Sequence, residues 1–529
     1  MHFENAYKYK LGAQNAGEKT MAARETHSFV IVGGGTAGWM AAACLGKLLL
    51  RPHIKTRSVT LIESDEVATV GVGEATVPSI RDMLRFLNID EADFLRDTDA
   101  TFKLGIRFRD WNGPGSDYWH PFGELGPTVE NLPLFQHWLR ERLSGGDPGP
   151  LVDLSIAAKM AEAGRFAKPT GDPASPLSAS GFAYHFDAGK VARYLREFAE
   201  HKGVKRISGH VVEVGRDDDG AIAGLTLKDG RVVTGDFFVD CSGFSGLLIE
   251  KALGSAFEDW SHWLPCDRAV AMPTKPVSDP PPYTVAQARE AGWTWRIPLR
   301  TRTGNGYVWS SRFSDEEAAT QVLMAAVDSE PIADPRHLRF TAGRRKEPWV
   351  KNCLSLGLAS GFLEPLESTS IHLVFASLFR FFDHFPYDSD ATALRNAFNA
   401  RSTREIEEIR DFLILHYCTS QRRDTPFWRY VTAMDLPESL VVRMDAFKRH
   451  GKLLADYYDL FKPGSWISVY TGMGVMPDRA DPLAELVPQA FSRDVLAKVT
   501  AAIRQTAAAQ PAHQAVLDRL VPVKVGAVR

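Results

Sequence analysis

Three glycines near the start of the chain have the spacing of a loop that binds a dinucleotide. Gly33, Gly35 and Gly38 follow an apolar run at residues 29–32 and precede another at residues 40–50. The first run predicts a strand and the second a helix. Glycines let the backbone turn tightly and approach a pyrophosphate, while the helix N-terminus offers free N–H groups to its charge. The motif therefore predicts a dinucleotide site.

A second apolar run, SVTLIE, ends in Glu63 and predicts the next strand. A carboxylate at this place can accept hydrogen bonds from an adenosine ribose. The separation from the glycines exceeds the usual ~20 residues, and the polar insert RPHIKTR accounts for the excess. A tight turn without a ligand is the alternative interpretation.

A hydroxyl-rich helix start is the second place where spacing suggests chemistry. The segment FLEPLESTSIHL predicts a helix that begins near Ser368, with Thr369 and Ser370 in its first turn. Uncommitted N–H groups and the helix dipole favour an anion there. A simple N-terminal capping cluster is the alternative, and the dipole alone would also explain an acidic residue such as Glu367 at this position.

The elements that must position these residues point to one flavin domain. Besides the first motif, an apolar strand is predicted at Phe237–Asp240 before Gly243, and another in WVKNCLSLG before Gly357. Three such strand–glycine units are typical of a domain that holds the long FAD molecule, by fold-level analogy. We predict an α/β (α+β mixed) fold, with a Rossmann-like FAD-binding domain of the flavin monooxygenase type at residues 27–385.

Other segments predict the remaining elements. DATFKLGIRFRDW alternates strictly, so one strand is predicted with Lys103 on its polar face, and GWTWRIPLR places Trp293 and Trp295 on one face of another. Apolar residues after 386 have helical spacing, and Ser492 can cap a last helix. We therefore predict a mainly helical substrate domain at 386–529 and a flexible extension at 1–26.

Composition limits the class of protein. The 529 residues carry a net charge of −3 with interspersed acids and bases, which argues against nucleic-acid and membrane-surface partners. The apolar run at residues 29–50 is broken by glycines and fits a nucleotide fold better than a membrane span. Five scattered cysteines form no CxxC pair, so we expect a reducing, cytoplasmic location and no metal site.

Together the motifs resemble the flavin-dependent tryptophan halogenase family over about residues 27–480. The motifs that carry the resemblance are, in order, GGGTAGWM, GVGEATVPS, FKLGIRF, WHPFG, YHFDA, DCSGFSGLLI, WTWRIP, FLEPLESTSIHL, DTPFW and GMGVMPD. The resemblance implies FAD as FADH2 from a separate flavin reductase, oxygen, a halide (chloride or bromide), and a small electron-rich aromatic substrate of the indole or tryptophan type. We expect a monomer or homodimer.

The resemblance also implies roles for individual residues. Hypohalous acid made at the flavin would reach Lys103 and Glu367, the implied catalytic pair, with Glu364 not at the matching position. The other implied residues are the halide-binding Thr369 and Ser370; the barrier Trp293 and Trp295; the substrate-pocket residues His120, Pro121, Phe122 and Trp466; and the cofactor-binding residues Gly33, Gly35, Thr36, Ala37, Gly38, Glu63, Gly73, Glu74, Ala75, Asp240, Gly243, Gly357 and Leu358.

One stretch departs from the family pattern. Enzymes of the family that act on free tryptophan have a long Tyr- and Glu-bearing segment here, whereas ADYYDLFKPGSWISVYTGMG is shorter and its only acids are Asp456 and Asp459. We therefore expect a bare or substituted indole, a phenol or a peptide-borne residue to be as suitable as free tryptophan. An FAD-dependent aromatic hydroxylase and a non-catalytic flavin-binding protein are the alternative functions.

Overall fold

The computed structural model describes residues 26–64, 73–388, 391–456 and 458–522. The predicted extension at 1–26 lies outside these residues except for Thr26, as do the first two residues of GVGEATVPS.

The strands of the described residues are β1 (Ser28–Val32), β2 (Ser58–Glu63), β3 (Gly73–Ala75), β4 (Thr101–Lys103), β5 (Gly105–Arg109), β6 (Asp117–Pro121), β7 (Thr128–Val129), β8 (Leu132–Pro133), β9 (Ala183–Asp187), β10 (Lys205–Ser208), β11 (Val211–Arg216), β12 (Ile222–Leu227), β13 (Val232–Thr234), β14 (Phe237–Asp240), β15 (Phe257–Asp259), β16 (Arg268–Thr274), β17 (Thr284–Arg289), β18 (Gly292–Pro298), β19 (Thr303–Trp309), β20 (Arg336–Arg339), β21 (Gly343–Arg345), β22 (Trp349–Val350), β23 (Cys353–Ser355) and β24 (Gly361–Phe362).

The α-helices are α1 (Thr36–Leu49), α2 (Ile80–Leu87), α3 (Glu91–Asp97), α4 (Leu134–Leu143), α5 (Ile156–Glu162), α6 (Ala188–His201), α7 (Glu316–Ala326), α8 (Ser370–Asp383), α9 (Thr392–Cys418), α10 (Pro426–Val431), α11 (Glu438–His450), α12 (Pro463–Gly472), α13 (Gln489–Ala508) and α14 (His513–Leu520).

A six-stranded sheet has the order β10-β2-β1-β14-β23-β22. The strands of the three predicted strand–glycine units, β1, β14 and β23, are parallel neighbours in its centre. Their carboxyl ends therefore meet at one edge of the sheet, where open α/β sheets bind ligands. The helix α1 begins at that edge, one residue after Gly35. The predicted α/β fold class is confirmed.

A seven-stranded sheet, ordered β20-β16-β19-β18-β17-β5-β6, carries the predicted tryptophans on β18. Here the sequence prediction of one long strand in DATFKLGIRFRDW is wrong. The chain divides at Leu104, so that β5 joins the large sheet whereas β4 pairs with β9 in a three-stranded sheet with β3. Because Lys103 lies on β4, it does not lie on the polar face of the large sheet, and its side chain is fully buried.

The described residues after β24 form helices and connecting turns. The predicted cap at Ser492 is wrong: α13 begins at Gln489, the Ser492 hydroxyl contacts His137, and α14 follows as a further helix. Residues of α13 and α14 share one apolar core with Phe102 of β4. The domain boundary at 385/386 remains a prediction.

The last helix is also tied to the strand that carries Lys103. His513 of α14 accepts a hydrogen bond from the Phe102 backbone N–H through Nε2 (3.2 Å), and its Nδ1 donates to the Pro280 carbonyl (2.7 Å). Burial lowers the pKa of His513 to about 4, which keeps the neutral form that this arrangement needs. None of the described helices is both long and apolar enough to span a bilayer.

Candidate active site

A cavity of about 1150 Å³ lies where the predicted cofactor residues converge. The predicted cofactor residues in its wall are Gly33, Gly35, Thr36, Ala37, Glu63, Gly73, Glu74, Ala75, Gly243, Gly357 and Leu358. These residues range from Gly33 to Leu358 in the sequence and include members of all three strand–glycine units. The structure thus brings together segments that the sequence pattern could only relate by analogy.

The walls of this cavity fit FAD. More basic than acidic residues line it, as an anionic diphosphate requires. The basic residues are Arg193, Arg196, Arg206, Lys251, Arg339, Arg344, Arg345 and Arg380, and the acidic ones are Glu63, Glu74 and Glu405. Gly33 has φ +116°, and a Cβ there would overlap the Cys241 carbonyl. A Cβ on Gly38, which does not line the cavity, would overlap the Gly33 carbonyl. Both glycines are therefore needed for the tight turn.

The two predicted cofactor carboxylates in the lining, Glu63 and Glu74, lie at different places. Glu63 already accepts hydrogen bonds from Trp39 Nε1 (3.1 Å) and Arg206 Nε, which fix the orientation of its carboxylate. A carboxylate has further acceptor sites, so the hydroxyl groups of a ribose could bind there as well. Glu74 lies on β3, and burial raises its pKa to about 7.

Asp240 lies outside the cavity wall. Its carboxylate accepts backbone hydrogen bonds from Ser242 (2.9 Å), Leu248 (2.7 Å) and Ile249 (2.8 Å). It therefore fixes the turn that bears Gly243, one of the residues that line the cavity. A direct contact of Asp240 with the cofactor remains a prediction.

The predicted barrier tryptophans, Trp293 and Trp295, both face the cavity from β18. Their ring centroids are 6.1 Å apart. The indole N–H of Trp293 donates to Glu364 Oε2 (3.0 Å), which also accepts from the Tyr417 hydroxyl (2.8 Å). Trp293 therefore has the cavity on one side and a buried carboxyl group on the other, as expected of a rigid wall.

Lys103 lies beyond the cavity wall and is fully buried. Its Nζ donates to the Thr76 carbonyl (3.0 Å) and the Ser368 hydroxyl (2.9 Å), and it lies 5.1 Å from the ring centre of Phe122. Burial lowers the pKa of Lys103 to about 7, although the charge of Glu367 opposes the shift. At neutral pH the amine is therefore divided between its two protonation states.

Ser368 is a site residue to which the sequence analysis assigned no role. A short 3₁₀ turn at Pro365–Glu367 ends in Ser368, which has a left-handed backbone (φ +62°). Ser368 lines the cavity while its hydroxyl contacts the Lys103 amine. It is therefore a physical link between the cavity and Lys103. Strained non-glycine backbone of this kind often occurs at functional sites.

Glu367 is fully buried next to Ser368 and has a histidine at each oxygen. His120 Nδ1 lies 2.7 Å from Oε2, and His416 Nε2 lies at ion-pair distance, 2.9 Å, from Oε1. Burial raises the pKa of Glu367, but the charge and hydrogen bonds of the two histidines outweigh it and lower this pKa to about 2. Glu367 is therefore an ionised carboxylate near the Lys103 amine.

The sequence analysis missed His416. Its Nδ1 lies 2.9 Å from the Phe412 carbonyl and its Nε2 faces Glu367, so both ring nitrogens face acceptors. A sequence signal was present, because His416 follows Phe412 by four residues on the predicted apolar stripe of α9.

Two of the four predicted substrate-pocket residues, His120 and Trp466, lie in an aromatic cluster beside Glu367. The His120 ring lies 5.5 Å from Phe412, which lies 4.9 Å from Trp466 and stacks on Phe461 at 3.8 Å. The ring of Phe122 lies next to the Lys103 amine instead, and Pro121 pairs with Gly105 between the strands β6 and β5. Aromatic walls of this kind suit a flat apolar substrate.

The predicted halide residues lie at the start of α8. Ser370 is its first residue and lines the cavity, whereas Thr369 precedes it and is buried outside the lining. The first-turn N–H groups of an α-helix have no partner within the helix, so this end favours an anion. In the described ranges no group of His, Cys, Asp and Glu side chains could hold a metal ion.

Comparisons with known proteins agree with this geometry. A family model described as tryptophan halogenase matches residues 28–489. A tryptophan 6-halogenase, ThaL, from Streptomyces albogriseolus is 36% identical over 503 residues, covering 88% of this chain and 92% of its own.

Two solved structures resemble the whole molecule. Xcc4156, a flavin-dependent halogenase from Xanthomonas campestris, has a TM-score of 0.90 and 43% identity, covering 94% of this chain and 99% of that chain. BrvH, a flavin-dependent halogenase from Brevundimonas sp. BAL3, has a TM-score of 0.89 with the same identity and coverages. The chain belongs to the tryptophan halogenase family and is an FAD-dependent enzyme that uses a halide.

Proposed function

We propose that this enzyme places chloride or bromide on an indole-type aromatic ring, using FADH2, oxygen and halide. The observation that carries the proposal is a buried amine near an ionised carboxylate, both outside the lining of the cavity in which the predicted cofactor residues converge. This arrangement suits an oxidant that is made at one place and used at another. Bound reduced FAD, with oxygen, supplies the chemistry that converts halide into hypohalous acid.

In this proposal Lys103 receives the hypohalous acid. The ammonium form can donate a hydrogen bond that makes the halogen more electrophilic, and the neutral form can accept the halogen as a haloamine. A pKa of about 7 makes both forms available. Ser368, at the cavity wall, guides the acid towards the Lys103 Nζ atom.

Glu367 accepts the proton that the ring loses. Substitution forms a carbon–halogen bond, breaks the oxygen–halogen bond and releases one ring proton to Glu367. The departing hydroxide takes a proton from the Lys103 ammonium and leaves as water. His120 and His416 orient the Glu367 carboxylate and keep it ionised. Family membership does not favour the hydroxylase alternative, and Trp293 and Trp295 would keep an aromatic substrate from contact with the flavin.

We assign the substrate to indoles other than free tryptophan. The short segment before α12 offers two acids, and both already have partners. Arg404 of α9 pairs with Asp456, while Asp459 accepts from the Asp456 backbone N–H (2.8 Å) and faces Arg443 of α11 (3.4 Å). The aromatic cluster of His120, Phe412 and Trp466 supplies the apolar walls.

The same proposal includes its surroundings. We expect FADH2 from a separate flavin reductase, as is general in this family, and a cytoplasmic location, because all five cysteines are free. We expect a monomer or homodimer without nucleic-acid or membrane partners, since acids and bases nearly balance.

One assay tests the proposal. The purified chain is mixed with FAD, a flavin reductase, NADH, oxygen and bromide or chloride, and a panel of indoles and free tryptophan is analysed by mass. We expect a halide-dependent mass gain that is greatest for indoles without the amino-acid group. A gain of one oxygen without halide would instead identify a hydroxylase, and no product from any substrate would contradict the halogenase proposal.

A further inference from the structure

An exposed phenylalanine in the wall of the large cavity has no role in the chemistry described so far. Phe244 lines the cavity and is 49% exposed. Phe362 and Phe340 line the same wall, and the three rings form a row with centroid distances of 5.7 and 4.9 Å. Among the described residues, Phe362 is the one ring in contact with Phe244, and the two planes are nearly perpendicular (86°). One such neighbour covers at most one face of a ring, so an aromatic face of Phe244 is accessible at the cavity wall.

The turn that carries Phe244 is held by hydrogen bonds on both sides of the ring. Before it, the Asp240 carboxylate accepts from the Ser242 backbone N–H (2.9 Å). After it, the Leu247 backbone N–H donates to the Ser242 hydroxyl (2.8 Å). Gly243 has φ +71°, and a Cβ there would meet no atom within 4 Å, so this turn needs glycine for its backbone conformation and not for space. The chain therefore holds Phe244 at the cavity wall in a defined position.

The order of the strands indicates which half of FAD lies near Phe244. Glu63, the predicted ribose partner, is the last residue of β2, whereas Phe244 follows β14, and β1 lies between these two strands. Gly33, in the predicted pyrophosphate loop, follows β1. Neighbouring strands lie about 4.8 Å apart, so the ends of β2 and β14 are ~10 Å apart. Adenosine at Glu63 and the Phe244 ring therefore lie on opposite sides of the diphosphate, and the flavin half is the one that extends towards Phe244.

We propose that Phe244 is a stacking platform for the isoalloxazine ring of FAD. A flat aromatic ligand gains free energy when it stacks on an accessible aromatic face, and burial of the exposed ring adds an apolar contribution. A ring that the turn already holds in place loses little conformational freedom on binding. This inference rests on the FAD dependence of the family and not on the proposed substrate.

A titration of the purified protein with FAD measures the contribution of the ring. Phe244→Ala removes the aromatic face and should raise the Kd for FAD roughly tenfold, a loss typical of removing one ring from a stacked pair. Phe244→Tyr keeps the face and should bind FAD as wild type does. Phe491→Ala is the control, because it removes another exposed phenylalanine (39%), on α13 and outside the cavity, and should leave the Kd unchanged.

The visible absorption of the FAD-saturated protein identifies the ring of FAD that Phe244 contacts. The flavin band should differ between wild type and Phe244→Ala and should be the same in wild type and Phe244→Tyr. An unchanged Kd in Phe244→Ala, or a raised Kd with a wild-type flavin band, would overturn the inference. If thermal unfolding without FAD shows that Phe244→Ala does not fold, Phe244→Leu, which keeps an apolar side chain without an aromatic face, decides by the same two criteria. Neither measurement uses halide or an indole, so failure of the proposed halogenation would leave both results valid.

Discussion

Two buried carboxyl groups, one just before a 3₁₀ turn and one at its end, behave in opposite ways. Glu364 and Glu367 are both at 0% exposure. Burial raises the pKa of Glu364, and the neutral donors Trp293 and Tyr417 only partly oppose that shift. The two histidines at Glu367 instead hold its pKa at about 2.

The difference shows that partners, rather than depth, decide what a buried carboxyl group can do. An indole N–H and a phenol hydroxyl fix Glu364 in place without supplying charge, so it serves as an anchor for the wall. His120 and His416 lower the pKa of Glu367 through electrostatic interaction as well as hydrogen bonds, so Glu367 stays ionised and able to accept a proton.

The most severe way to break this comparison is to remove the Lys103 amine, whose pKa responds to the charge of Glu367. We expect Lys103→Ala to abolish halogenated product, because the amine that receives the hypohalous acid is lost, while FAD binding stays intact because Lys103 does not line the cavity. Product mass and flavin titration check the two parts. Unchanged halogenation would remove Lys103 from the mechanism.

Matched amide substitutions compare the two carboxyl groups directly. Glu367→Gln should lower kcat by about 10²–10⁴-fold, the usual contribution of a general base. Glu364→Gln keeps an oxygen that accepts from Trp293 and Tyr417, so kcat should change far less. Steady-state rates at saturating bromide and indole provide the measurement. Equal losses in both variants would refute the assigned division of roles.

The pH dependence of stability should have opposite signs for the two groups. The lowered pKa of Glu367 stabilises the fold above about 4.5, and this contribution, about 3 kcal/mol, is lost as the pH falls to about 2. The raised pKa of Glu364 makes the fold less stable as the pH rises above 4.5, until the folded pKa is passed.

Denaturant unfolding of wild type, Glu367→Gln and Glu364→Gln across pH measures both contributions. As the pH rises from 2 to 4.5, the free energy of unfolding of wild type should increase relative to Glu367→Gln. Above pH 4.5 it should decrease relative to Glu364→Gln. The same sign for both would show that partner charge does not control these groups.

The smallest change removes one neutral donor. Tyr417→Phe deletes the hydroxyl that donates to Glu364 and should lower the free energy of unfolding by about 1 kcal/mol, the net value of one hydrogen bond. Tyr430→Phe, whose hydroxyl donates to the His262 carbonyl at the surface, is the control and should cost less. Thermal unfolding distinguishes the two variants. An equal cost would mean that the burial of Glu364 adds nothing to this bond.

The sequence predicted the local parts of the fold well. The glycine turn at Gly33 and the strands before Gly243 and Gly357 follow from short apolar runs, and such runs also require that each strand be buried. Periodicity did not reveal the break at Leu104, because both sides of the break continue the same alternation. The fold class needed only the number and order of these runs.

The site required more than local pattern. Lys103 and Ser368 are 265 positions apart, and nothing in either segment alone indicates the contact. The family resemblance paired Lys103 with Glu367 but gave Ser368 no role. His416 was missed because a histidine on an apolar helix stripe is usually a packing residue. The opposite pKa shifts of Glu364 and Glu367 depend on partners from β6, β18 and α9, which no spacing rule predicts.

The hydrogen bond between His513 and Phe102 connects α14 to the strand that carries Lys103, although the two segments are far apart in the sequence. The two residues are 411 positions apart, yet the imidazole accepts a hydrogen bond from the backbone N–H of Phe102, the residue before Lys103. Shortening the protein before residue 513 would leave that N–H without its acceptor inside the core. Fusions and truncations of the C-terminus should therefore be treated as changes next to the reactive amine.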